Sequence, residues 1–104
     1  MSITKTVYDP LGNAIILSSD LLQLICIPNS DLCIDATLVI THPAMIFEST
    51  DGSLEKYYLR TVEWDNFILI AVKKVGENFI SDYFQVNPPR ERILGLIKNC
   101  RQIK

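Results

Sequence analysis

The chain lacks most of what metal, nucleotide or membrane chemistry needs. Its 104 residues include one histidine, four glycines and three cysteines. Four scattered glycines make neither a phosphate-cradling loop nor a dinucleotide fingerprint, and no Gly-x-Ser-x-Gly elbow occurs. Cys26, Cys33 and Cys100 do not have metal-ligand spacing, and with His42 alone beside them they argue against a zinc site. No metal and no cofactor is expected. An odd cysteine count also argues against a secreted disulfide framework. The three are therefore read as reduced, mostly buried thiols, which behave as small hydrophobes. A catalytic Cys–His pair has no local signature here. Apolar runs reach six residues at Phe67 to Val72, against roughly 20 for a bilayer span. The first ten residues carry no apolar signal core, so the expected location is the cytoplasm, without a membrane partner.

What the chain does have is apolar content, 48%, which excludes a disordered chain. Its length is about that of one domain, so residues 1–104 are taken as a single domain able to fold without staples. The net charge of −2 is unevenly placed. Residues 88–104 carry five cations against Glu91 alone, or +4, and residues 1–87 carry five cations against eleven anions, or −6. Such a body is a poor nonspecific nucleic-acid binder, although a local basic strip could hold a phosphate.

The richest stretch is residues 55–86. Its β-branched and aromatic residues suit a pleated, half-buried surface. Polar clusters at Glu63 to Asn66 and Lys74 to Asn78 predict two hairpin reversals, hence three antiparallel strands. The middle one, Phe67 to Val72, is continuously apolar, as a strand covered on both faces would be. Trp64 at the first reversal is either an exposed anchor for a partner or a ring folded back on the sheet.

Ahead of it, Ile3 to Tyr8 reads as an edge strand, Asp9-Pro10-Leu11-Gly12-Asn13 as turn chemistry and Ala14 to Leu17 as a short buried strand. Ser18, Ser19 and Asp20 are caps for a helix through Leu21, Leu22, Leu24 and Ile25, ended by Pro28. Asn29, Ser30 and Asp31 cap a second short helix running to about Thr41, with Leu38 to Thr41 equally readable as strand. Ala44 to Glu48 is a further strand. Pro88-Pro89 opens an amphipathic C-terminal helix with Ile93, Leu96, Ile97, Cys100 and Ile103 at helical spacing. The fold expected is α+β. A twisted antiparallel sheet of about four to five strands carries two short N-terminal helices and the C-terminal helix, with helices on one face.

Chemistry-bearing candidates are few. His42 is the default general acid or base, though the following Pro43 equally suggests a structural corner. Arg60, Lys73 and Lys74 lie on the three-stranded stretch. There they either stabilise a phosphoryl transition state or protect a sheet edge. Ser81 and Tyr83 share one strand face with Phe79 and Gln85 if side chains alternate with period two.

The pieces Asp9-Pro10-Leu11-Gly12, Ile15-Ile16-Leu17, Leu21 to Ile25, His42-Pro43-Ala44-Met45-Ile46, Tyr57-Tyr58-Leu59-Arg60, Phe67 to Lys74 and Ser81-Asp82-Tyr83 stand in a definite order. That order resembles the phage-associated branch of the barnase–EndoU–colicin–RelE nuclease superfamily. The resemblance implies N-terminal helices on a twisted antiparallel sheet and metal-independent RNA cleavage by 2′-hydroxyl attack. Arg60 and Ser81 would then match the polar positions of the Tyr-Tyr and Thr-Ala-Tyr strands, with Tyr83 beside them; the candidate catalytic set is Arg60, Ser81, Tyr83 and His42, with Lys73 and Lys74 as candidates to hold phosphate. The chain departs from the pattern in having no histidine on the first helix and in placing Asp82 inside the Thr-Ala-Tyr-type motif. Two functions stay open: a ribonuclease-toxin-like protein acting weakly or not at all on RNA, and a noncatalytic module that binds a protein partner or a second copy.

Overall fold

The computed structural model describes residues 4–63 and 65–104. It is α+β, with one mixed, mostly antiparallel sheet of seven strands. The strands are β1 (Lys5–Tyr8), β2 (Ala14–Leu17), β5 (Met45–Ser49), β6 (Lys56–Val62), β7 (Asn66–Val75), β8 (Asn78–Val86) and β9 (Cys100–Gln102). Their spatial order is β1-β2-β8-β7-β6-β5-β9. A separate hairpin joins β3 (Leu24–Cys26) to β4 (Cys33–Asp35). The helices are α1 (Ala36–Thr41) and α2 (Arg90–Asn99). The expected positions of Ile3 and Trp64 lie outside the described residues.

The three-stranded stretch folds as its pattern dictates, β6-β7-β8 pairing antiparallel from Val62↔Asn66 to Val75↔Asn78. Gly76 takes φ +63° in the second reversal, a conformation open to glycine. At the other end Asn87 donates its backbone N–H to the Phe67 carbonyl at 2.7 Å and accepts from the Phe67 N–H through its side chain at 2.8 Å. That clamp ends the sheet and launches α2.

Strand β7 is apolar on both faces because both are covered. Ile68, Ile70 and Val72 join Val7, Ile15, Leu17, Ile46 and Tyr58 in a large core, closed by residues of the 21–40 segment, Leu21, Ile25, Ile27, Ala36, Val39 and Ile40. Leu69 and Ala71 face the other way, with Phe47, Tyr57 and Leu59 under Leu96, Ile93 and Cys100 of the α2 end. The helices therefore lie on opposite faces, not on one.

Several sequence expectations are corrected. The sheet has seven strands instead of four to five, because β1 and β2 join it and the chain's last residues add β9. The β2–β8 contact is parallel, pairing Ile15 with Phe79. The first N-terminal helix is absent. Ser19–Leu21 make a single 3-10 turn and Leu24–Cys26 a strand, because Leu21 and Ile25 are both drawn into the core. The second helix is reduced to α1, six residues whose N-cap Asp35 accepts from the Thr37 N–H at 2.9 Å. Cys26 and Cys33, opposite each other in the β3–β4 register, form a disulfide. Cys100 alone is a free thiol, so the reading of three reduced cysteines fails. No helix is long and apolar enough to cross a membrane.

Asp9 explains why its turn sits where it does. The residue is 4% exposed. Its carboxylate accepts from the backbone N–H groups of Leu11 and Asn13 at 3.0 and 2.8 Å, and from the Tyr58 hydroxyl at 2.6 Å. Burial pushes its pKa up, but the hydrogen bonds from Tyr58 and the turn outweigh it and hold the group below the ordinary carboxylate value.

Candidate functional site

The candidate catalytic residues divide between the two faces of the sheet. The cause is a register shift. Ala71 pairs with Tyr83 and Val72 with Ser81, so Asp82 is the extra residue of a bulge. Period-two alternation fails across it. Ser81 turns into the large core side and is 5% exposed. Its oxygen accepts from the Ser18 N–H at 2.9 Å and lies 3.2 Å from the Ser18 hydroxyl. Tyr83 stands on the α2 side, where its hydroxyl accepts from Arg92. The expectation that Ser81 and Tyr83 share a face is therefore corrected.

Arg60 and His42 are brought together. A guanidinium N–H of Arg60 donates to the His42 backbone carbonyl, and the His42 Nδ1 lies 2.9 Å from the Thr41 hydroxyl. Arg60 Nε is buried with no hydrogen-bond partner among the described residues. By alternation with Tyr58, Arg60 is on the large-core side of β6, with Ser81 and away from Tyr83. Lys73 and Lys74 separate in the same way. Lys73 pairs with Asp82 at 3.6 Å, and the Lys74 ammonium lies 5.8 Å from the Phe79 ring centre.

Polar groups converge elsewhere, in a cleft of about 280 Å³ between α2 and the sheet, lined by Asp51, Tyr57, Glu91, Arg92, Asn99 and Cys100 among others. The Tyr57 hydroxyl donates to Glu55, and the Arg92 guanidinium sits 5.3 Å from the Tyr57 ring centre while reaching Tyr83. Burial, then the Glu55 carboxylate, push Tyr57 well above the ordinary phenol range. Burial, then Asp51, push the Cys100 thiol up. Both groups are protonated at neutral pH, so the cleft offers donors and a cation but neither a thiolate nor a phenolate. Of the sequence candidates only Tyr83 belongs to this group. Tyr57, Glu55 and Arg92 were missed, and the signal was thin: a Tyr-Tyr pair on a strand, and an arginine in the first turn after Pro88-Pro89.

A larger depression of about 530 Å³ lies between Thr4 and Lys5, Leu22 to Leu24, and Asp35 and Thr37. None of the candidates lines it. Among the described residues no group of three or more His, Cys, Asp or Glu could hold a metal ion. Comparison with known proteins gives no matching family model, no matching curated protein and no matching solved structure.

Proposed function

We propose that this chain is a noncatalytic protein-binding module on a ribonuclease-toxin-like fold. The supporting observation is the bulge at Asp82. It leaves Ser81 inside with its oxygen engaged by Ser18, and Tyr83 across the sheet from Arg60. Acid–base work on one phosphate needs acceptor, donor and cation within reach of the same atoms. The surface offered to a partner is the α2 side, where Met45, Phe67, Leu94 and Ile97 are each more than a third exposed. A cytoplasmic location belongs to the same proposal.

The test is incubation of end-labelled, mixed-sequence RNA with pure protein in excess EDTA, beside sedimentation of wild type and Ile97→Asp. The reading expects no cleavage, and wild-type self-association that Ile97→Asp weakens. A wild-type monomer at every concentration directs the search to a different protein as partner. Cleavage that disappears in Arg60→Ala overturns the reading.

One observation favours the alternative, metal-independent RNA cleavage. Arg60 has a buried Nε without a partner among the described residues, and its guanidinium donates to the backbone carbonyl of His42, the residue that carries the chain's one imidazole. In that case His42→Ala and Arg60→Ala each abolish the cleavage, and Tyr83→Phe leaves it unchanged.

A further inference from the structure

Two lysines meet at one aromatic ring with no carboxylate to balance them. Lys56 opens β6 and is 6% exposed. Its ammonium lies 4.4 Å from the centre of the Phe79 ring, and that of Lys74 lies 5.8 Å from the same centre. The register explains the meeting. Lys56 pairs with Val72 on β7, Lys74 is two residues further along β7, and Lys74 pairs with Phe79 on β8. Lys56 alternates with Tyr58, and Lys74 with Val72, so both point to the large-core side. Two of the neighbouring carboxylates are engaged. Glu48, across from Lys56, binds Arg101 at 2.9 Å, and Asp82 binds Lys73. Among the described residues neither Lys56 nor Lys74 has an ion pair or a side-chain hydrogen bond.

A ring face attracts an ammonium but accepts none of its three N–H bonds in ordinary geometry. Lys56 is therefore a cation held against the sheet whose ammonium meets no acceptor among the described residues, and Lys74 adds a second positive charge at the same ring. Lys74 is exposed. An oxyanion fills both needs at once. It accepts charge-assisted hydrogen bonds from the two ammoniums and relieves their mutual repulsion.

We propose that Lys56 and Lys74, both at the Phe79 ring, form a binding site for a phosphoryl dianion. The site is distinct from the α2 surface and does not depend on the protein-binding reading. Lys73, the neighbour that a sequence reading groups with Lys74, takes no part, because it sits on the other side of β7 in a salt bridge with Asp82.

The experiment is an NMR titration of the full chain with inorganic phosphate at constant ionic strength, following lysine side-chain and Phe79 ring resonances. Parallel titrations with adenosine monophosphate and with an oligoribonucleotide lacking terminal phosphates distinguish a free phosphomonoester from a phosphodiester backbone. The expected result is saturable shifts at Lys56, Lys74 and Phe79. Lys74→Met should weaken binding about tenfold, the loss of one charge-assisted bond, while Lys73→Met leaves it unchanged. Lys56→Met should act like Lys74→Met. Should that variant fail to fold, the exposed Lys74 position decides alone. Shifts that do not saturate, or equal weakening by Lys73→Met and Lys74→Met, overturn the site.

Discussion

Tyr57 and Tyr58 are neighbours in the chain, and each gives its hydroxyl to a carboxylate, yet the two pairs do different work. Tyr58 is fully buried and binds Asp9, 49 residues earlier, from beneath the segment that closes the large core. Tyr57 reaches Glu55, two residues away, at the mouth of the α2 cleft. The first pair ties a distant turn to the centre of the sheet. The second is local and open to water on one side. Strand alternation sends the two rings to opposite faces, and the cover over each face decides what its pair is worth. Residues 21–40 seal one side with a broad apolar layer. The ten-residue α2 covers only part of the other, leaving a gap that Arg92, Tyr57 and Tyr83 fill.

The largest expected effect breaks the buried pair. Asp9→Ala removes the acceptor of Tyr58 and of two backbone N–H groups together, and should cost about 3 kcal/mol or more in urea unfolding. Tyr58→Phe leaves Asp9 its turn bonds and should cost about 1 kcal/mol. The pH dependence follows from the sign of the shift. The folded pKa of Asp9 lies below the unfolded one. Its contribution is therefore fully present above the ordinary carboxylate pKa and is lost as pH falls through the folded value. Unfolding between neutral and acid pH should show this loss in wild type and a flatter acid limb in Asp9→Asn. An unchanged acid limb would assign acid sensitivity to other carboxylates.

That pair also shows what could be read from the chain and what could not. Asp9-Pro10-Leu11-Gly12 was legible as a turn and Tyr57-Tyr58 as strand, each from local chemistry. Their bond joins residues 49 apart, and no periodicity encodes it. The β6-β7-β8 strands were legible because they are long, rich in β-branched residues and separated by polar reversals. The segment before them was not. Its elements are three to six residues long, too short for a period to assert itself, and burial of Leu21 and Ile25 overrides the capping residues that suggested a helix. The shared-face reading of Ser81 and Tyr83 failed at one residue. Period two placed Ser81 with Tyr83, and the inserted Asp82 reversed one of them. A bulge leaves no compositional trace when the extra residue is an ordinary exposed aspartate.

The next effect belongs to the cover of the buried side. The Cys26–Cys33 disulfide closes a short loop, and both cysteines are exposed. Removing a cross-link over so short a loop should cost about 2 kcal/mol on the chain-entropy argument. Cys26→Ala and chemical reduction should agree in size, because they free the same loop. Ile25 and Ile27 flank Cys26 in the core, so hydrogen exchange should quicken in β3 and β4 while β7 stays protected. Loss of protection across the whole sheet would mean that the hairpin is part of the cooperative core instead of a lid on it.

The smallest effect tests the open pair. Glu55→Gln keeps an acceptor for Tyr57 and removes a charge at the cleft mouth, so stability should change by about 0.5 kcal/mol or less. The titration of Tyr57 should change more visibly. Burial and the Glu55 carboxylate both raise its pKa, and only the second is removed, so the phenol should ionise at lower pH in Glu55→Gln yet stay above a free tyrosine. Ultraviolet difference titration reads this directly, with Tyr57→Phe identifying the signal. Tyr58, raised by burial and then by Asp9, should not move. If Glu55→Gln instead destabilised the protein as strongly as Asp9→Ala, the cleft would be part of the core and the α2 side would have little freedom to receive a partner. If it shifts only Tyr57, the two faces are energetically separate: one holds the fold, and the other can be remodelled by whatever binds it.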